Sequence, residues 1–154
     1  MCIRDSHYDM NMVFIDALLR HLMWTGDLTF AREVWPALQR HLAWEHRLFR
    51  RAFADSNGKE LPLYEAYATI WASDNLQYNG GGAAHSSAYN IFAFRSAAKL
   101  ARALGEDPAA YDAEAELIHQ AMQQLLWLPE QGAFAESKDL LGPQTVYNLS
   151  LIHI

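Results

Sequence analysis

The hydrophobic positions of the chain follow a helical period in two successive patterns. Residues 7–24 are apolar on more than one helical face and carry few charges, which predicts a largely buried helix. The tripeptide Thr25-Gly26-Asp27 breaks this pattern. Residues 29–53 then mix apolar residues with arginines and histidines, which predicts a long amphipathic helix with one face in water.

The same order of patterns recurs later in the chain. Ser86 or Ser87 can cap a second helix that is apolar on nearly every face, and a turn that starts at Gly105 ends it. Pro108 suits the first turn of the next helix, which is amphipathic and continues to about Trp127. The chain therefore repeats a buried helix, a turn of glycine and acidic residues, and an amphipathic helix.

This repeat predicts an all-α fold built from helical hairpins. Such hairpins stack either into an open α-solenoid or into a closed toroid whose inner helices surround an axis. Short turns join solenoid repeats, whereas residues 54–85 separate the two predicted hairpins here. Connections of that length usually carry function, so we expect the chemistry of the chain to lie there.

The composition is typical of a folded core, with 51% hydrophobic and 12% aromatic residues. The formal net charge is −6 at pH 7 and the sequence has no basic patch, so we expect no nucleic-acid partner. No membrane partner is expected either. We also expect no metal and no cofactor, because His41 and His46 lack the four-residue spacing of helical zinc pairs and Cys2 is the only cysteine.

The terminal hexapeptides MCIRDS and LSLIHI are related to each other at the DNA level. Both can be translated from one short DNA segment, read on opposite strands, and this segment resembles the transposase end sequence used in sequencing libraries. We therefore expect residues 1–6 and 149–154 to be adapter-derived tails, which removes Cys2 and the sequon at Asn148 from functional reasoning. If these tails are adapter-derived, residues 7–148 have no natural terminus and the localisation is unknown.

The connection between the hairpins contains the residue types of a sugar-binding cleft. Aromatic rings can cover the C–H face of a pyranose, and carboxylates, amides and imidazoles exchange hydrogen bonds with its hydroxyls. The candidates for substrate binding are Trp71, Tyr78, Asn79, His85 and Tyr89. Tyr64, Tyr67 and Trp71 also have the spacing of one buried face of a short helix, so packing alone is an equal alternative for these three.

Three carboxylates are candidate catalytic groups, in the order Asp74, Glu65 and Glu136. Asp74 follows an apolar run and precedes the glycine cluster at residues 80–82, which predicts a loop and a closely approached backbone. Glu136 follows a second loop, in which the alternation around Phe134 predicts a short strand. Each carboxylate can also be an ordinary solvated acid, since charged loop residues are usually exposed.

Three segments together resemble the six-hairpin glycosidase superfamily, and specifically its debranching-like and α-L-rhamnosidase-like bacterial members. They are WTGDLTFAREVWPALQRHLAWEHRLF, LPLYEAYATIWASDNLQYNGGGAAHSSAYN and LGEDPAAYDAEAELIHQAMQQLLWLPEQGAFAES. The resemblance implies that residues 7–148 are part of an (α/α)6 toroid, comprising about two of its helical hairpins, with a cleft at one end. It also implies a periplasmic or extracellular protein.

For function, the resemblance implies hydrolysis of glycosidic bonds in an oligo- or polysaccharide by a pair of carboxylates. Polysaccharide lyases and sugar epimerases share this architecture, and Tyr78, His85 and Tyr89 would then be the candidate base and acid. A non-enzymatic α-solenoid that binds a partner protein is the third hypothesis. Because a piece of a toroid lacks its remaining hairpins, we expect exposed inner-helix faces, aggregation and no activity in isolation.

Overall fold

The computed structural model describes residues 8–69, 77–138 and 145–146. Within these ranges the helices are α1 (Tyr8–Thr25), α2 (Leu28–Phe49), α3 (Ala84–Leu104) and α4 (Ala109–Leu125). The strands are β1 (Arg50–Ala54), β2 (Glu60–Thr69), β3 (Gln77–Ala83), β4 (Trp127–Leu128), β5 (Ala133–Phe134), β6 (Ser137–Lys138) and β7 (Thr145–Val146). The predominance of helix confirms the predicted fold class, with two hairpins consistent with a fragment of a helical toroid.

Helix α2 begins where the sequence predicts and ends earlier. The Asp27 carboxylate caps it by accepting hydrogen bonds from the backbone N–H groups of Thr29 at 2.9 Å and Phe30 at 3.0 Å. The predicted end at residue 53 is wrong, because the backbone becomes extended at Arg50 and continues directly as β1. Pairing of β1 with β2 replaces the last predicted helical turn.

Helix α3 begins at Ala84, before the serines that were expected to cap it. Neither serine caps the helix, since the N-cap residue is Ala83 and no side chain bonds to the first turn from that position. Ser87 is fully buried, and its hydroxyl accepts a hydrogen bond from the backbone N–H of Tyr64 at 3.0 Å. The serine therefore fixes β2 onto the helix. Gly105 ends the helix in the left-handed conformation, with φ of 80°.

The described residues of the connection between the hairpins lie mainly in strands of a sheet. Strands β1 and β2 form an antiparallel hairpin, and the sheet order is β1-β2-β3-β6-β7. The helical alternative for Tyr64 and Tyr67 is wrong, because both residues lie in β2. Leu63 and Tyr64 are adjacent and both fully buried, so this part of β2 is covered on both faces. The short strand predicted around Phe134 is confirmed as β5.

The core lies where β2 packs against both α3 and α4. Its fully buried large side chains include Leu38, Leu42, Leu61, Leu63, Tyr64 and Ile118. Helix α1 contributes one face only, so the prediction that it is largely buried is partly wrong. Phe14 is 69% exposed and Trp24 is 91% exposed. An apolar groove of about 460 Å³ remains open between α1 and α2.

Candidate functional site

The connections of the two hairpins meet at one end of the helices. Strand β1 follows the end of α2, β3 leads directly into the start of α3, and β4 follows the end of α4. Strand β6, further along the segment that leaves α4, pairs with β3 and so belongs to the same sheet as β1, whereas β4 and β5 form a separate two-stranded sheet. We refer to this region as the sheet end. It contains the described candidates Glu65, His85 and Glu136.

Glu65 lies on β2 directly opposite Gly82 of β3. The residue is buried, and its carboxylate forms an ion pair with Arg51 of β1, with Nη2 and Oε2 2.7 Å apart. Burial of a carboxylate requires a charged or hydrogen-bonding partner, and the guanidinium supplies one. The carboxylate is therefore held in a fixed orientation at the sheet end.

Glu136 and His85 both lie next to Ala84, the first residue of α3. The backbone carbonyl of Glu136 accepts a hydrogen bond from the N–H of Ala84 at 2.8 Å. His85 follows Ala84 and is half-buried, with its Nε2 3.1 Å from the hydroxyl oxygen of Ser86. The start of α3 therefore brings a carboxylate-bearing segment next to an imidazole. Nothing in the sequence pairs these two residues, which are distant along the chain.

Tyr89 lies further along α3 and faces α1. Burial raises the pKa of its hydroxyl, and the negative charge of Asp16 on α1 raises it further, with an opposing contribution from Arg20. Asp16 and Arg20 themselves form an ion pair at 2.9 Å. A phenol in these surroundings ionises less readily than a free tyrosine, so Tyr89 suits hydrogen bonding better than proton abstraction.

The other sequence candidates are only partly covered by the structure. Asp74 and Trp71 lie outside the described residues. Tyr78 and Asn79 lie in β3, where the backbone of Asn79 pairs with Ala66 of β2. Strand β3 thus lies between β2, which carries Glu65, and β6, which begins directly after Glu136. Because of this position in the sheet, Tyr78 and Asn79 remain candidates for substrate binding.

The glycine cluster makes the close backbone approach that the sequence predicts. Gly81 has φ of 76°, a conformation that side chains disfavour. A Cβ on Gly82 would lie 2.4 Å from Cβ of Leu63 and 2.8 Å from Cε2 of Phe53. Gly82 is therefore required by protein packing, because its missing side chain makes room for Leu63.

Two glutamates, one buried and one partly buried, were missed at the level of sequence. Glu45 is 1% exposed, and its Oε1 lies 2.8 Å from Nε2 of His41. Burial raises the pKa of Glu45, whereas the hydrogen bond and charge of His41 lower it. The signal was present, since Leu38, Leu42 and Glu45 follow the helical spacing of one buried face.

The second missed glutamate is Glu114, on α4. Arg50 donates hydrogen bonds to its two carboxylate oxygens, at 2.7 Å from Nε and 3.3 Å from Nη2, and the hydroxyl of Tyr64 donates one at 3.3 Å. Burial strongly raises the pKa of Tyr64, and the charge of Glu114 adds to the rise. This network ties β1, β2 and α4 together.

Neither a metal centre nor a membrane span is found in the part of the chain that the structure describes. No group of three or more histidine, cysteine, aspartate or glutamate side chains there is arranged to hold a metal ion. No helix among the described residues is both long enough and apolar enough to cross a bilayer.

The arrangement of helices and strands is shared with part of a solved glycoside hydrolase. The chain superposes on a GH78 family rhamnosidase of Bacillus sp. GL1 with a TM-score of 0.67 and 24% sequence identity. The fold is glycosidase-like. The match covers 87% of this chain and 14% of the rhamnosidase chain, so the chain spans a small part of that protein. The chain matches no protein-family model and no curated protein.

Proposed function

We propose that the chain is part of a carbohydrate-active enzyme, a glycoside hydrolase in which carboxylates act as general acid and base. The observation that carries this proposal is the likeness of the fold to the GH78 rhamnosidase, since 87% of the chain takes part in it. In this proposal, residues 7–148 contribute two hairpins to an (α/α)6 toroid, and residues 1–6 and 149–154 are adapter-derived tails. Oligo- or polysaccharide is the substrate.

In this proposal the sheet end contributes candidate groups for the chemistry. Hydrolysis needs two carboxyl groups, separated by about 5 Å in retaining enzymes or by about 6.5 to 9.5 Å in inverting enzymes. Asp74 is the first candidate, Glu65 is the second, and Glu136, whose backbone carbonyl accepts a hydrogen bond from the first residue of α3, is the third. The ion pair of Glu65 with Arg51 fits a role in holding a sugar hydroxyl or an attacking water.

One observation bears on the role of Tyr89 in the lyase and epimerase hypotheses. Those reactions need a base that removes a proton from a sugar carbon, and Tyr89 was a candidate for that role. Burial and the charge of Asp16 raise the pKa of Tyr89, which makes its anion less accessible at neutral pH. Tyr78 and His85 are the other candidates for that role.

The test uses the full-length protein, obtained by extending the coding sequence beyond both ends of the chain. Purified protein is incubated with 4-nitrophenyl α-L-rhamnopyranoside and with oligosaccharides released from plant and bacterial polysaccharides. We expect hydrolysis of at least one of them, and a loss of at least a hundredfold in kcat for Asp74→Asn or Glu136→Gln, as general acid and base groups contribute about 10² to 10⁴. Glu106→Gln, an exposed acid at the opposite end of α3, is the matched control.

The outcomes separate the three hypotheses. An unsaturated sugar product that absorbs ultraviolet light would indicate a lyase and overturn the proposal. Folded full-length protein that cleaves no saccharide would also overturn it. Retention of full activity by Asp74→Asn, Glu65→Gln and Glu136→Gln together would place the chemistry elsewhere and refute these assignments.

A further inference from the structure

A small hairpin at the sheet end presents an aromatic ring to solvent. Strands β4 and β5 pair antiparallel, with Trp127 opposite Phe134 and Leu128 opposite Ala133. The turn between them is closed by hydrogen bonds from the N–H groups of Gln131 and Gly132 to the carbonyl of Leu128, at 3.2 and 2.9 Å. Trp127 is 40% exposed, although tryptophan normally buries most of its large ring.

The base of this hairpin is fixed to the core. Leu126 and Ala135 flank the two strands, and both are buried. The N–H of Ala135 donates to the carbonyl of Leu126 at 2.7 Å. Phe134 packs against the hydrophobic core on one side, and on the other it contacts the indole of Trp127 edge-on, with ring centroids 5.0 Å apart. The indole is therefore held in one orientation before any ligand arrives.

Polar residues lie in the turn of the same hairpin. The turn carries Glu130 and Gln131, both exposed. A flat apolar ring beside a carboxylate and an amide matches a pyranose, which has an apolar C–H face bordered by hydroxyls. Preorganisation of the ring reduces the entropy lost on binding.

The hairpin also lies close to the candidate catalytic groups. Glu136 follows β5 after a single intervening residue, and β6 then pairs with β3. The backbone of Glu136 is bonded to the first residue of α3. A saccharide that rests on Trp127 can therefore extend toward the start of α3 and Glu136.

We propose that Trp127, supported by Phe134, is the platform of an additional sugar subsite for one pyranose unit of an oligosaccharide. The inference rests on the proposed function, because it assigns the ligand as a saccharide. It concerns a unit beyond the cleaved linkage, so it acts on the affinity for longer ligands and not on the bond-breaking step. Glu130 and Gln131 provide hydrogen bonds at the rim of this subsite.

The experiment measures binding by the full-length protein, wild type and variant. A glycan array of plant and bacterial cell-wall oligosaccharides identifies a bound oligosaccharide, and calorimetric titration compares it with the methyl glycoside of its terminal sugar. We expect Trp127→Ala to weaken oligosaccharide binding about tenfold, equivalent to about 1.4 kcal/mol, and to leave binding of the methyl glycoside unchanged. Trp127→Phe should lose less affinity for the oligosaccharide, because phenylalanine keeps a smaller aromatic face.

Trp24→Ala is the matched control, because Trp24 is 91% exposed but lies at the α1–α2 turn, away from the sheet end. Affinity that is unchanged in Trp127→Ala, or that falls equally in Trp24→Ala, would overturn the inference. So would an array on which the wild type binds no oligosaccharide. If Trp127→Ala does not fold, the oligosaccharide affinities of Trp127→Phe and Gln131→Ala test the inference instead. Unchanged affinity in both variants would overturn it.

The failure of this inference differs from the failure of the proposed function. Hydrolysis by a protein whose oligosaccharide affinity does not depend on Trp127 would refute the subsite and keep the hydrolase. Binding that depends on Trp127 without any hydrolysis would keep the subsite and refute the hydrolase.

Discussion

Leu63 and Gly82 approach each other across β2 and β3 so closely that no larger residue fits at position 82. A Cβ on Gly82 would lie 2.4 Å from Cβ of Leu63 and 2.8 Å from its Cδ1. Gly82 is not among the glycines with positive φ, so its requirement is steric. The contact also fixes the position of Glu65, which lies opposite Gly82 in the register of the two strands.

This contact predicts that Gly82→Ala destabilises the protein. Overpacking of a filled core costs about 1 to 3 kcal/mol, and we expect a loss of that size in the free energy of unfolding measured in urea. Leu63→Ala should cost about 2 to 5 kcal/mol alone, because it leaves a cavity. In the double variant the clash with Cβ of residue 63 persists, because alanine keeps that atom, and only the contact with Cδ1 is relieved. Stability of Gly82→Ala equal to that of the wild type would contradict the contact.

A second prediction concerns the cap of α2. The Asp27 carboxylate accepts two backbone hydrogen bonds at the start of the helix. Asp27→Ala should therefore lower the free energy of unfolding by about 1 kcal/mol, and Asp27→Asn should retain most of the stability. Thermal unfolding followed by circular dichroism measures both. Equal stability of Asp27→Ala and wild type would show that the cap contributes nothing.

The contrast between α2 and α3 explains how much of the fold the sequence could predict. The starting point of α2 follows from Asp27 and the preceding Gly26, since both act on their immediate neighbours. The start of α3 could not be predicted from Ser86 and Ser87, because the hydroxyl of Ser87 is used by the backbone of Tyr64, which is distant in sequence. Local signals locate helix ends, and tertiary contacts can override them.

The same distinction applies to the candidate site. Glu65, His85 and Glu136 could be selected by residue type and by their place near the connections. Their assembly at one end required the order of strands in the sheet, which pairs β3 with both β2 and β6. The long connection gave no clear strand period, because Leu63 and Tyr64 are buried on opposite faces of β2.

A third prediction concerns the pH dependence of stability. The pKa of Glu45 is raised by burial in the folded protein, so the folded state binds its proton more tightly than the unfolded state. The contribution of Glu45 to stability should therefore be greatest below the ordinary pKa of 4.5 and fall as the pH rises through the raised value. Glu45→Gln should remove this contribution and flatten the profile in that range.

The matched control is Glu33→Gln, which changes an exposed glutamate on the same helix. Urea unfolding is measured for the wild type and both variants at a series of pH values from acidic to neutral. The profile of Glu33→Gln should follow the wild type. A wild-type profile no steeper than that of Glu45→Gln would show that burial of Glu45 does not affect folding.

The ion pair between Arg51 and Glu65 leads to a fourth prediction, which applies to the full-length protein and rests on the proposed function. The guanidinium lies 2.7 Å from the buried carboxylate and holds its orientation. Arg51→Leu should lower kcat/KM about tenfold or more, because positioning errors of about 1 Å can cost a hundredfold in rate. Arg51→Lys keeps the positive charge without the forked geometry of the guanidinium, so its kcat/KM should fall less.

The control for this prediction is Arg102→Leu, which removes an exposed ion pair with Asp112 at the opposite end of α3 and α4. Its kinetics should match the wild type, because exposed pairs contribute little. A purely structural role of Arg51 would lower thermal stability and leave kcat, KM and their pH profile unchanged in the folded fraction. The positioning role instead requires that Arg51→Leu lower kcat/KM of the folded protein and that Arg51→Lys restore part of it.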